Sequence, residues 1–228
     1  MPNITKLPRA MVALAVVLGL GAWPMPIANA SANVAAGQQP CLVAGAEALE
    51  TLTEHAARAP AERLVVETRA AATTARGCEG ALALTQGLEL TQVIARLNRF
   101  EADRNRGALA LNAVEGFRIL VTAQARGPQD APLEVALLDY AGFRYQAGAQ
   151  ASPALWDEMK QSVAFAEGQW RSLSSHISDS KLRTSFAASI EAMRAAAKAG
   201  NAKQARHAVS VELKRVDALE QFFAKHPL

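Results

Sequence analysis

Three carboxylates stand among apolar neighbours, and their chemistry depends on what surrounds them. Asp139 lies between Val135, Leu138, Gly142 and Phe143, with only Gln146 on its helical face. Glu212 borders the stripe of Val209, Val216 and Leu219. In residues 108–121 the polar side chains are Asn112, Glu115 and Arg118, and Thr122 joins them on one arc of about 120° at 100° per residue. That arc reads either as the solvent face of its helix or as a polar seam inside a bundle. An ionised carboxylate inside costs several kcal/mol unless it is paired. Arg118 and Arg144 are the candidate partners, although Arg144 points about 140° away from Asp139 on the same helix. Gly142, one turn from Asp139, leaves room for a ligand or another backbone to approach.

Two uses of this set follow. The bland one is a structural ion-pair network. The sharper one is a binding site made of Glu115, Arg118, Asp139, Arg144 and Glu212. Oxygen ligands from Glu115, Asp139 and Glu212 would suit a hard divalent cation, whereas the arginines would suit an anionic small molecule. No resident cofactor is expected beyond such an ion.

Other chemistries lack their residues. A di-iron bundle needs Glu-x-x-His pairs, and none of His55, His176, His207 and His226 has a Glu three positions before it. The C-x-x-C-H haem signature is absent. Phosphate-binding Gly-rich loops, the G-x-S-x-G elbow and H-E-x-x-H are missing too. Two cysteines, and only Met159 and Met193 beyond residue 30, do not make a copper store. Nothing marks a catalytic centre, so the expectation is a non-enzyme.

Charge narrows the partners. The chain of 228 residues has a formal net charge of +3, but Lys6 and Arg9 fall in a segment without acids. The remainder carries 22 basic and 21 acidic residues. No cluster of Lys and Arg is dense enough for a nucleic-acid footprint. The partner expected is therefore a small ligand or another protein, not nucleic acid.

Residues 1–30 read as a Sec-type signal peptide. Lys6 and Arg9 form the basic start, residues 10–21 are apolar, and Ala28-Asn29-Ala30 fits the small-x-small cleavage pattern. Cleavage after Ala30 predicts a periplasmic protein with no transmembrane segment left. Export makes a disulfide between Cys41 and Cys78 the default pairing. Two helical stretches, residues 42–58 and 61–76, flank Ala59-Pro60, so a hairpin folded there brings both cysteines to its open end.

The elements needed to position these residues are helices throughout. The chain is 50% hydrophobic but only 5% aromatic, and it is rich in Ala, Leu, Glu, Gln, Lys and Arg. Leu90, Val93, Ile94, Leu97 and Phe100 share one face of a helix from Gly87 to Arg104. A helix from Asn105 to Arg126 follows, with a kink expected near Gly107. Asp130 and Ser152 are the expected caps of the next two helices. Trp156, Met159, Val163, Ala166, Trp170, Leu173 and Ile177 repeat at alternating spacings of three and four, the seam of a packed helix. Ser178-Asp179 starts another helix and Gly200-Asn201 ends it.

Short connections force antiparallel neighbours. The expected fold is all-α, an up-and-down antiparallel bundle with a disulfide-pinned N-terminal helical hairpin. The hairpin (residues 31–80) would lie against a bundle of residues 81–228 as one domain. There the helix at 105–126 would complete a four-helix unit with residues 131–225. The function expected is that of an exported, non-catalytic binding or accessory protein. Its alternatives are a periplasmic bundle handling iron or another divalent cation through carboxylates, and a structural or partner-binding module.

Overall fold

The computed structural model describes residues 39–127 and 130–228. The expected signal peptide and its cleavage site lie outside them. Among the described residues all regular structure is helical: α1 (Gln39–His55), α2 (Ala61–Arg76), α3 (Leu84–Asn98), the single turn α4 (Phe100–Asp103), α5 (Arg106–Ala123), α6 (Leu133–Gln150), α7 (Trp156–Leu173), α8 (Ser180–Ala199) and α9 (Ala202–Lys225). No helix among them is long and apolar enough to cross a membrane.

The helices form two four-helix units side by side. In the first, α1, α2, α3 and α5 enclose a core that includes Leu42, Leu49, Leu64, Leu90, Leu97 and Leu120. In the second, α6, α7, α8 and α9 enclose Tyr145, Met159, Phe186, Met193, Val209 and Phe223. Helices α5 and α6 pack together and join the two. Phe117 meets Phe143 edge-on at 6.2 Å, and Phe165 and Leu213 pack against both cores. The sequence reading differs here, because it paired the α5 region with residues 131–225. In the structure α5 packs most extensively on α1, then on α6 and α3, and the hairpin supplies half of the first bundle.

Close approach explains the pairing of α1 with α5. A Cβ on Gly45 would sit 2.8 Å from Leu120 Cδ1, and one on Gly116 would sit 2.7 Å from Leu49 Cδ1. Each helix thus presses a leucine into the other's glycine notch. Side-chain bonds clamp both ends of this pair. Gln39 Oε1 accepts from Ala125 N and its Nε2 donates to Ala125 O, both at 3.0 Å. Arg106 donates to Ala56 O at 3.0 Å and Ala59 O at 2.7 Å, fixing the α1–α2 turn to the start of α5.

Local signals hold at several ends. Asp179 accepts from Lys181 N and Leu182 N to start α8, and Gly200 ends it in the left-handed region at φ 62°. Asn201 then caps α9. Others are corrected. The chain breaks fully at Arg104, φ 52°, and Asn105 caps a new helix through Ala108 N, so no kinked continuation runs from Asn105. Asp130 bonds Gly127 N at 2.7 Å, and α6 starts only after Pro132. Ser152 caps nothing, because Leu155 N bonds back to Gly148 O and α7 begins at Trp156.

The α1–α2 hairpin forms as expected, with Cys41 in the first turn of α1 and Cys78 just beyond α2. The pin is not closed: both are free thiols, and their side chains approach to 2.8 Å. Burial pushes the Cys78 thiol up to about 12, assisted by Cys41 beside it.

The notch predicts a contrast between two glycines. Gly116→Ala should lose about 1–3 kcal/mol through the clash with Leu49. Gly168→Ala, where an added Cβ meets nothing within 4 Å, should gain about 0.5–1 kcal/mol. Urea unfolding of both variants measures the difference, and equal stabilities would refute the notch.

Candidate functional site

The residues singled out from sequence fall into two groups on opposite sides of α6. Glu115 and Arg118 on α5 join Tyr140 and Arg144 on α6 in one half-buried chain. Arg118 Nε donates to Glu115 Oε2 at 3.1 Å, and its Nη2 lies 3.5 Å from Glu89 on α3. Tyr140 donates to Glu115 Oε1 at 2.6 Å, and Arg144 Nη1 donates to the Tyr140 oxygen at 2.9 Å. Arg144 also grips Glu158 on α7 through Nη2 at 2.6 Å and Nε at 3.0 Å. Burial pushes the Tyr140 hydroxyl up to about 12, and its bond to Glu115 adds to this. Charges alternate from Glu89 to Glu158, with two guanidiniums shared among three carboxylates, so the chain is an ion-paired strap across α3, α5, α6 and α7. The polar arc of α5 is thus neither free solvent face nor buried seam.

Asp139 and Glu212 occupy the other side, between α6 and α9. The arginines considered as partners are spent on the strap and do not reach them. Glu212 is 0% exposed, and neither of its carboxyl oxygens has a hydrogen-bond partner. Gly142 makes its position: a Cβ there would collide with Glu212 Oε2 and would lie 2.6 Å from Leu213 Cδ2. The notch anticipated beside Asp139 is filled by the chain itself. Gln146 Oε1, one turn further along α6, is likewise buried without a partner.

The surroundings of Asp139 are acidic. Burial holds its carboxyl well above the usual range, and Glu50 on α1 and Glu212, Glu220 and Asp217 on α9 push the same way. Burial alone holds Glu212 well above the usual range too. Glu50 is pushed up to about 7, first by burial, then by Glu54, Glu220, Glu47 and Asp217. Arg126, just beyond α5, partly offsets the charge at Glu220. Glu115 is absent from this group, and among the described residues no three His, Cys, Asp or Glu side chains are placed to hold a metal ion.

Sequence reasoning missed a second feature, a groove of about 700 Å³ between α8 and α9. Its walls are small residues, Ala188, Ala192 and Ala195 on α8 and Ala208 on α9. Lys203, His207 and Arg215 line it, and no acid does. Arg215 Nη1 is shielded from solvent and has no acceptor. The i, i+4 spacing of Lys203, His207, Val211 and Arg215 was visible in the sequence. A stripe of cations on a helix is usually just its solvated face, so it drew no notice.

No protein-family model, curated protein or solved structure matches this chain.

The α6–α9 seam sets a pH dependence of definite sign. Carboxyls raised in the fold hold protons that the unfolded chain gives up near pH 4–5. Their stabilisation is complete below that range and is lost as pH rises through about 7 for Glu50 and through the raised range of Asp139 and Glu212. Wild type should therefore be more stable at pH 5 than at pH 8. Glu212→Gln keeps the shape and removes the titration, so it should flatten this slope and gain most at pH 8. Denaturant unfolding at both pH values tests it, and an unchanged slope in the variant would remove Glu212 from the account.

Proposed function

We propose that this protein is an exported, non-catalytic binding or accessory bundle that works in the periplasm. The observation that carries the reading is the α8–α9 groove, a concave, small-residue surface with unpaired cations. Its volume of about 700 Å³ falls within the range of ordinary binding pockets. Arg215 Nη1 has no acceptor within the described residues, and with Lys203 it makes the groove wall basic, which favours an anionic partner. A serine-nucleophile mechanism is disfavoured, because the one hydroxyl lining the groove, Ser189 Oγ, donates to Phe186 O at 2.6 Å.

Export rests on the n-region, apolar run and Ala28-Asn29-Ala30 of residues 1–30. With it comes the disulfide. Cys41 and Cys78 at 2.8 Å are closer than unbonded side chains normally pack, and closing to about 2.05 Å needs only a small side-chain shift. The loop so closed adds about 4 kcal/mol in the chain-entropy model.

Two measurements test this. Protein taken from the periplasm without reductant should resist alkylation at Cys41 and Cys78 until dithiothreitol is added; immediate double alkylation would mean the bond is not made. Native mass spectrometry of the same material should show a non-covalent adduct that Lys203→Glu/Arg215→Glu loses while remaining folded. An adduct unaffected by those changes would take the groove out of the binding function.

A further inference from the structure

The groove's cations are spread along α9 instead of gathered at one end. Lys203 and Arg215 are twelve residues apart, about 18 Å along the helix, and His207 to Arg215 spans about 12 Å. A single-headed small anion would satisfy one of them. An elongated partner with acids spaced along its length would meet both Lys203 and Arg215, with the His207 imidazole between them as a hydrogen-bonding group. The alanines at 188, 192 and 195 and at 208 let a helix backbone settle close to both walls.

This chain displays such a helix itself. On the outward face of α1, Val43, Ala44, Glu47, Thr51 and Glu54 are exposed and form one stripe, with the half-buried Glu50 at its inner edge. Val43 is among the exposed large hydrophobics. Glu47 to Glu54 spans about 10 Å, close to the His207–Arg215 separation. Among the described residues none of the three is in an ion pair, and Asp217 and Glu220 on α9 extend the acidic surface beside them.

We propose that the α8–α9 groove receives helix α1 of a second copy, in a head-to-tail contact. This rests on the reading of the groove as a binding surface and names its occupant. Pairing groove to groove would set Lys203, His207 and Arg215 against their own copies, so the charges disfavour a two-fold contact. A head-to-tail contact is heterologous and leaves a free groove at one end and a free α1 at the other. Assembly then continues past the dimer.

Sedimentation velocity on the purified protein, over a hundredfold concentration range at low and high salt, tests the contact. Wild type should show mass rising beyond two copies with concentration at low salt, and reversal at high salt. Lys203→Glu/Arg215→Glu and, separately, Glu47→Lys/Glu54→Lys should each stay monomeric, with circular dichroism confirming the fold. An equimolar mixture of the two variants should regain association, because each then offers the other an opposite charge. A wild type that is monomeric throughout, a species that stops at two, or variants that associate alone would overturn the proposal. If wild type is monomeric but its native adduct is lost in the groove variant, the groove keeps its binding role with a foreign partner. If the adduct also survives, both readings fall together.

Discussion

Helices α5 and α6 are apolar nearly all round, and that constraint shapes the rest of the molecule. A helix without a polar face cannot lie on a surface and must be covered on every side. One four-helix unit cannot do this for both, so each becomes a wall of its own unit and packs its remaining face on the other. The two cores meet through Phe117, Phe143, Phe165 and Leu213. Polar residues on these helices have few places to go. Glu115, Arg118, Tyr140 and Arg144 crowd to the one rim where α3, α5, α6 and α7 meet water. Their strap works more through register than through energy, since partly exposed ion pairs each contribute about 0.2–1 kcal/mol.

What the sequence made legible was mostly local. Asp179 and the Gly200-Asn201 turn marked helix ends because capping depends on a few adjacent residues. The three-four repeat of α7 identified its inner face, with Met159, Val163, Ala166 and Leu173 all buried, while Ile177, though buried, lies past the helix end in extended backbone. Asp130 and Ser152 carried equally good capping chemistry, yet one closes a turn on Gly127 and the other lies in a connection that folds back on α6. Propensity does not say which of two adjacent starts the tertiary structure selects. The partner of α5 was illegible for a physical reason: a helix apolar on all faces has no preferred side to read.

The candidate residues divided the same way. Their proximity to apolar stripes identified Glu212 and Asp139 as unusual, and Gly142 marked where close contact occurs. The arginine partners were misassigned because helical angle alone sets direction on one helix and says nothing about which neighbour lies across the gap. Glu50 joined from α1, at a separation no spacing rule connects. The α8–α9 groove was hidden by ordinariness, since alanine is the commonest helix former and exposed Lys and His usually face only water.

The seam between α6 and α9 also makes the proton a ligand of the folded state. Anything bound more tightly by the native than by the unfolded chain draws the equilibrium toward folding by mass action. Here the bound species is hydrogen ion: burial raises the carboxyls of Glu50, Asp139 and Glu212, so folding above the ordinary carboxylate range takes up protons. Heat measured on unfolding must then include the ionisation heat of whatever buffer accepts the released protons. A chain so built takes part of its folding free energy from the acidity of the fluid around it.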